Sequence, residues 1–210
     1  MISEEAVFFK AGKITLEGRY SKGDRGRGAV ITHPHSLMGG SMANNVVEAM
    51  VSAFQGRNIS TLRFNFRGVG RSEGAFDNGE GEQEDVRGAL SFLADQGISD
   101  ILVAGYSFGA WVNSKLACDR EGLTPGIMVS PPIDFLPFET GSLAATGGLV
   151  ICGDRDQFCP LDRIKAAIEG SGVDLKIVPG ADHFYMGHEE TVTNLLTEYL
   201  DSIAVAGETT

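Results

Sequence analysis

No apolar run in this 210-residue chain approaches the ~20 residues that a membrane-spanning helix needs. The opening Met1-Ile2-Ser3-Glu4-Glu5 has neither the basic nor the apolar segment of a secretory signal. Both absences argue against a membrane protein and for a soluble, cytoplasmic one. Positive charge is scarce as well. Seventeen Lys and Arg stand against 28 Asp and Glu, a net charge of −11, so the cation cluster that displaces counterions from nucleic acid is missing. Cysteine is rare: Cys118, Cys152 and Cys159 form no C-x-x-C pair and no even-numbered framework, and free thiols are expected. His33-x-His35 puts two rings on one side of a strand, but no further ligands at recognisable spacing complete a metal site, and none is expected. The loop Gly68-x-Gly70 has Glu73 where a dinucleotide fingerprint needs its third glycine. No cofactor is therefore expected. The six carboxylates between Glu73 and Asp85, with no base among them, read as a solvated loop leading into a helix whose first turn favours negative charge.

What the chain does have is alternation. Its length suits one domain, 1–210, with a single good core. Two strand-like runs, Val7-Phe8-Phe9 and Ile14 to Tyr20, flank Ala11-Gly12 and predict an antiparallel hairpin. Buried-strand runs follow at Ala29 to Thr32, Ile59 to Phe66, Ile101 to Gly105, Ile127 to Ser130, Leu149 to Cys152 and Leu175 to Val178. Between them lie helical stripes: Val46, Val47, Met50, Val51 and Phe54; Val86, Leu90 and Leu93; Ala110 to Ala117; Ile164 to Ile168; and Leu195 to Ile203. Strands alternating with helices predict a mainly parallel sheet covered on both faces, whose ligands bind beyond the carboxyl ends of the strands. His33, His35, Arg67, Ser107, Asp156 and His183 each follow a strand.

Gly105-Tyr106-Ser107-Phe108-Gly109 joins one of those strands directly to a helix. A G-x-S-x-G turn in that setting strains the serine backbone and pushes its hydroxyl over the sheet edge. Serine is a poor nucleophile unless a neutral imidazole takes its proton and a carboxylate fixes that imidazole's tautomer. Downstream turns offer both, in Gly153-Asp154-Arg155-Asp156 and in Ala181-Asp182-His183-Phe184. At this level Asp154 competes with Asp156, and His188 competes with His183.

Five stretches, in order, resemble the α/β-hydrolases, specifically the small lidless bacterial serine hydrolases related to dienelactone hydrolases. They are His33 to Gly40, Arg63 to Gly74, the Ser107 pentapeptide, Gly153 to Asp156 and Gly180 to Phe184. The resemblance covers nearly the whole chain. It implies an α/β-hydrolase fold and a Ser107-His183-Asp156 triad, since the G-x-x-D spacing from Gly153 lands on Asp156. It also implies an oxyanion hole built from the backbone N–H of Phe108 and of His35, or of Ser36 if the register shifts. Dienelactone hydrolases proper carry cysteine where this chain has Ser107, which favours hydrolysis of a small ester or thioester. The same triad serves acyl transfer, and the same fold serves noncatalytic binding of small molecules.

A lid, where hydrolases of this fold have one, follows the strand after the elbow helix. Only the 14 residues 133–146 stand there, too few for a multi-helix cap, so no lid domain is expected. The open site would be edged by Met38, Phe135, Phe138, Phe158, Tyr185 and Met186.

Overall fold

The computed structural model describes residues 3–23, 26–118, 126–138, 141, 143 and 148–207. Eight strands are joined in one sheet: β1 (Glu5–Ala11), β2 (Ile14–Ser21), β3 (Arg27–Thr32), β4 (Ser60–Phe64), β5 (Asp100–Tyr106), β6 (Ile127–Val129), β7 (Leu149–Gly153) and β8 (Asp174–Val178). Their spatial order is β1-β2-β4-β3-β5-β6-β7-β8. The hairpin β1/β2 is antiparallel and β2 meets β4 antiparallel; every later pairing is parallel. Among the described residues, five α-helices cover the sheet: α1 (Asn45–Gln55), α2 (Glu80–Asp95), α3 (Phe108–Cys118), α4 (Leu161–Ile168) and α5 (Glu189–Gly207).

The two faces follow from the period of two along each strand. In β5, Leu102, Ala104 and Tyr106 point to the α1/α5 layer, whereas Ile101 and Val103 point to α2 and α3. In β7, Leu149 and Ile151 join the first face and Val150 and Cys152 the second, against α4. The α1 stripe packs as its spacing dictates: Val46, Val47, Met50 and Phe54 are fully buried. Burial of each such side chain contributes ~1.5–3 kcal/mol. Asn44 starts this helix by accepting the N–H groups of Val46 and Val47.

Two expectations change here. The acidic stretch before Val86 is not all solvated loop. Glu82 is fully buried and accepts N–H bonds from Asp77 at 2.9 Å and Gly79 at 2.8 Å, so α2 begins at Glu80. Asp85, also fully buried, takes the Arg67 guanidinium at 2.8 Å and the Arg67 N–H at 2.9 Å, which ties the loop after β4 to α2. Desolvation pushes the Asp85 carboxyl up, and the Arg67 contacts only partly offset it. Cys152 and Cys159, expected as free thiols, are paired as a disulfide with Cα atoms 6.6 Å apart. The turn after β7 folds back on its own strand, a closeness that cysteine spacing does not report. Of the segment expected to be too short for a lid, residues 139, 140, 142 and 144–146 lie outside the described ones.

Candidate active site

The sharp turn between β5 and α3 has the strain its sequence predicts: Ser107 sits at φ +55°. Its flanking glycines let strand and helix come together. A Cβ on Gly105 would meet the Ala110 nitrogen at 2.6 Å, and one on Gly109 would meet the Thr32 hydroxyl at 2.5 Å. The first is backbone of α3, and beside the Thr32 hydroxyl the Gly109 site also meets the His33 carbonyl at 2.8 Å, so neither approach leaves room for a side chain. The Ser107 hydroxyl lies 2.9 Å from His183 Nε2. His183 Nδ1 lies 2.8 Å from Asp156 Oδ2 and 3.0 Å from Oδ1. A carboxylate is acceptor-only, so Nδ1 holds the proton and the Nε2 lone pair faces the serine. Among the sequence candidates, these three are brought into one line. All three are buried, Asp156 most deeply.

Each loop is braced. Asp156 Oδ1 accepts N–H bonds from Phe158 at 2.9 Å and Cys159 at 3.2 Å. Burial alone would raise the Asp156 carboxyl; its hydrogen bonds from His183, Ser130 and the Phe158 amide, with the charge of His183, hold it below the ordinary value. The buried Tyr106 hydroxyl donates to the His183 carbonyl at 2.6 Å. Asn45, at the start of α1, donates to the Phe184 carbonyl at 3.1 Å and to Glu189 at 2.9 Å. Asp154 is turned elsewhere: its carboxylate takes the Gly180 N–H at 2.7 Å. His188 stands just before α5 and its carbonyl accepts the Val192 N–H.

Phe108 is the first residue of α3, so its N–H is among those the helix itself leaves unmatched. The loop after β3 brings His35 alongside. Its ring lies 4.9 Å from Phe76 and 5.0 Å from Phe108, and Nδ1 accepts the Leu37 N–H at 3.2 Å. Desolvation pulls His35 below the ordinary histidine value against the opposing charge of Glu82. Neutral His35 with Nδ1 occupied carries its proton on Nε2.

His33 serves the same loop from behind. Fully buried, it faces the Pro34 carbonyl through Nδ1 at 2.6 Å and accepts the Phe66 N–H on Nε2 at 3.0 Å. Its lone pair is thus spent on an amide, not left for a metal. Burial pulls its pKa down to about 4. In the unfolded chain an imidazole binds a proton near pH ~6.5, so between ~6.5 and 4 the unfolded state holds the extra proton and stability falls as pH falls. The full loss from this one group is about 3 kcal/mol. In His33→Gln, denaturant unfolding across that window should have a pH slope shallower by about 1.4 kcal/mol per unit. An unchanged slope would remove His33 as the cause.

A cavity of about 80 Å³ opens on Ser107 and His183, walled by Met38, Phe108, Pro132, Phe135, Leu136, Phe158 and Phe184, with His35 at one side. Met38, Phe135 and Phe158 were expected at the rim. Phe138 instead lines a separate groove beside α4, and Met186 stands exposed outside the cavity walls. Tyr185 is corrected outright: it is fully buried, its hydroxyl 2.7 Å from that of Ser130 and 3.4 Å from the Ile151 carbonyl. Pro132, Leu136 and Phe184 were missed. Phe184 adjoins His183 in sequence, and that adjacency was the available signal. Two larger grooves, about 560 Å³ along Glu48 and Arg63 and about 520 Å³ beside Phe138, do not include Ser107. Among the described residues, no group of three or more His, Cys, Asp or Glu could hold a metal ion, and no helix is long and apolar enough to cross a membrane.

No protein-family model matches the chain. The uncharacterized protein RP471 of Rickettsia prowazekii is 32% identical over 211 residues, spanning 94% of this chain and 89% of that protein. A solved α/β serine hydrolase homologue from Coxiella burnetii is 31% identical, with TM-score 0.83 and coverage of 94% of this chain and 98% of its own. XC6422 from Xanthomonas campestris, described as an α/β serine hydrolase without a lid, is 29% identical with TM-score 0.86, covering 95% and 94%.

Proposed function

This chain belongs to the α/β-hydrolases, and from that premise we propose that it is a serine hydrolase cleaving a small carboxylic ester or thioester through an acyl-enzyme. One observation carries the reading: the unbroken contact from the strained Ser107 hydroxyl through His183 to the buried Asp156. Ser107 Oγ attacks the substrate carbonyl as its proton passes to His183 Nε2. The developing oxyanion lies between the N–H groups of Phe108 and His35. Collapse of the tetrahedral adduct breaks the bond to the leaving oxygen or sulfur, which takes the proton from His183. A water, deprotonated by the same Nε2, then attacks the acyl-serine and the steps reverse. Throughout, Asp156 keeps Nδ1 protonated and stabilises the imidazolium as it forms.

The cavity walls support a small, apolar acyl group. Apart from Ser107, His35 and His183, every lining side chain is apolar, and about 80 Å³ holds roughly three or four non-hydrogen atoms. A short, neutral acyl group fits. Each methylene buried there gains ~0.8 kcal/mol, but carbons beyond the rim gain nothing. Across p-nitrophenyl acetate, butyrate, octanoate and palmitate, kcat/KM should peak at the short esters, with no rise above the solubility limit of the long ones. The corresponding acyl-thioesters should follow the same order. A preference for palmitate, or a jump in rate at the lipid–water interface, would contradict the open, shallow site.

A further inference from the structure

Among the described residues, eight large apolar side chains are exposed, and five of them, Leu37, Met38, Phe135, Phe184 and Met186, stand in the loops that follow β3, β6 and β8. Single exposed apolar residues need no explanation, but a group gathered at one place marks a binding surface. Met38, Phe135 and Phe184 line the cavity that opens on Ser107. Met186, 74% exposed, is kept beside them: the Asn45 amide donates to the Phe184 carbonyl at 3.1 Å and stands 3.8 Å from the Met186 sulfur. Residues 33–45, 130–138 and 180–190 include no Lys or Arg, and no cation is among the cavity walls. Two acids do stand close by. Asp182 accepts the Phe184 N–H at 2.9 Å, and Glu189 accepts from Asn45 at 2.9 Å.

The use of this rim follows from the direction of proton transfer. His183 Nε2 must hand its proton to the leaving oxygen or sulfur, which therefore comes within ~2.6–3.2 Å of it. The leaving group then lies on the His183 side of the scissile carbonyl, and the acyl chain runs the other way, toward the buried walls Phe108 and Pro132. A cavity of about 80 Å³ does not hold both halves of a substrate. Two aromatic rings flank His183, Phe158 at 4.8 Å and Phe184 at 5.8 Å, and Phe135 stands edge-on to Phe158 at 5.7 Å. A flat ring placed among them meets its neighbours at the ~4.5–7 Å that aromatic pairs prefer, and a thioether sulfur suits its edge.

We infer that Phe184 and Met186, with Phe158 and Phe135, form a leaving-group subsite, and that the substrate carries an uncharged aromatic alcohol or thiol. The inference rests on the proposed serine-hydrolase reading and supplies the half of the substrate that the cavity does not hold. A leaving group bearing phosphate or carboxylate would face Asp182 and Glu189 with no cation in these loops to offset them.

The test uses ethyl, cyclohexylmethyl, benzyl, 4-carboxybenzyl and 2-naphthylmethyl acetates, which share one acyl group and have leaving alkoxides of similar basicity. Their kcat/KM values report the steps through acylation, the ones in which the leaving group takes part. Benzyl acetate should exceed cyclohexylmethyl acetate about threefold, and 2-naphthylmethyl acetate should exceed ethyl acetate about thirtyfold. The 4-carboxybenzyl ester should fall about tenfold below the benzyl ester. Phe184 and Met186 are both exposed, so Phe184→Ser and Met186→Ser should fold normally. Each should cut the 2-naphthylmethyl-to-ethyl ratio about fivefold. Val205→Ser is the control, comparably exposed but about 24 Å along α5 from Glu189, and should keep the wild-type ratio. A flat series, cyclohexylmethyl acetate equal to benzyl acetate, a preference for the carboxybenzyl ester, or the wild-type ratio in both rim variants would overturn the subsite. A wild-type protein that turns over none of the acetates and resists a fluorophosphonate would instead overturn the hydrolase reading.

Discussion

Ser107→Ala should lower ester turnover by about 10⁴- to 10⁶-fold while leaving the fold intact. Triad members act as a unit, so deleting the nucleophile forfeits what His183 and Asp156 supply; only binding and the oxyanion N–H groups remain. The structural cost is small. The Ser107 hydroxyl makes one side-chain contact, to His183, and its backbone is held by the sheet through its N–H to the Val129 carbonyl at 2.9 Å. Alanine at φ +55° keeps the same strain as serine. The melting temperature should therefore stay within a few degrees of wild type. Residual turnover near wild type would place the nucleophile elsewhere.

The second large effect separates two neighbouring carboxylates. Asp156→Asn should cost ~10⁴ in kcat, because the amide neither fixes the tautomer nor stabilises the imidazolium. It also turns an NH₂ group toward donors, since Asp156 faces the Phe158 and Cys159 N–H groups as well as His183. Asp154→Asn keeps an oxygen for the Gly180 N–H, the one contact its carboxylate makes in that turn, and should change kcat less than about threefold. Steady-state kinetics of the two variants with one short ester is sufficient. The opposite order of effects would assign the acid to Asp154.

Much of this architecture was legible because it depends on period and punctuation. The buried runs Ile101 to Gly105 and Leu149 to Cys152 lie inside β5 and β7, since apolar residues bounded by turn signals admit few other readings. The pentapeptide around Ser107 is equally local: its strain and its two close approaches are properties of five adjacent residues. What was not legible depends on how turns close and on which groups they bring together. Glu82 and Asp85 look like solvent-facing charges until α2 is docked beside Arg67 and the turn at Gly79. Tyr185 looks like a rim residue, yet it is buried with its hydroxyl against that of Ser130 after β6. Phe138 and Met186 were placed by proximity along the chain, but Phe138 lines the groove beside α4 and Met186 stands exposed outside the cavity walls. Cys152 and Cys159 could pair only once the turn holding Asp156 had closed between them.

The central claim is that Ser107 is an activated nucleophile, and a fluorophosphonate tests it directly because phosphonylation needs the same attack and the same proton transfer to His183. Intact-mass measurement followed by peptide mapping should find one phosphonyl adduct per chain, on Ser107, forming more slowly as pH is lowered and absent from Ser107→Ala. An unlabelled wild-type protein, or an adduct on any other residue, would contradict the account.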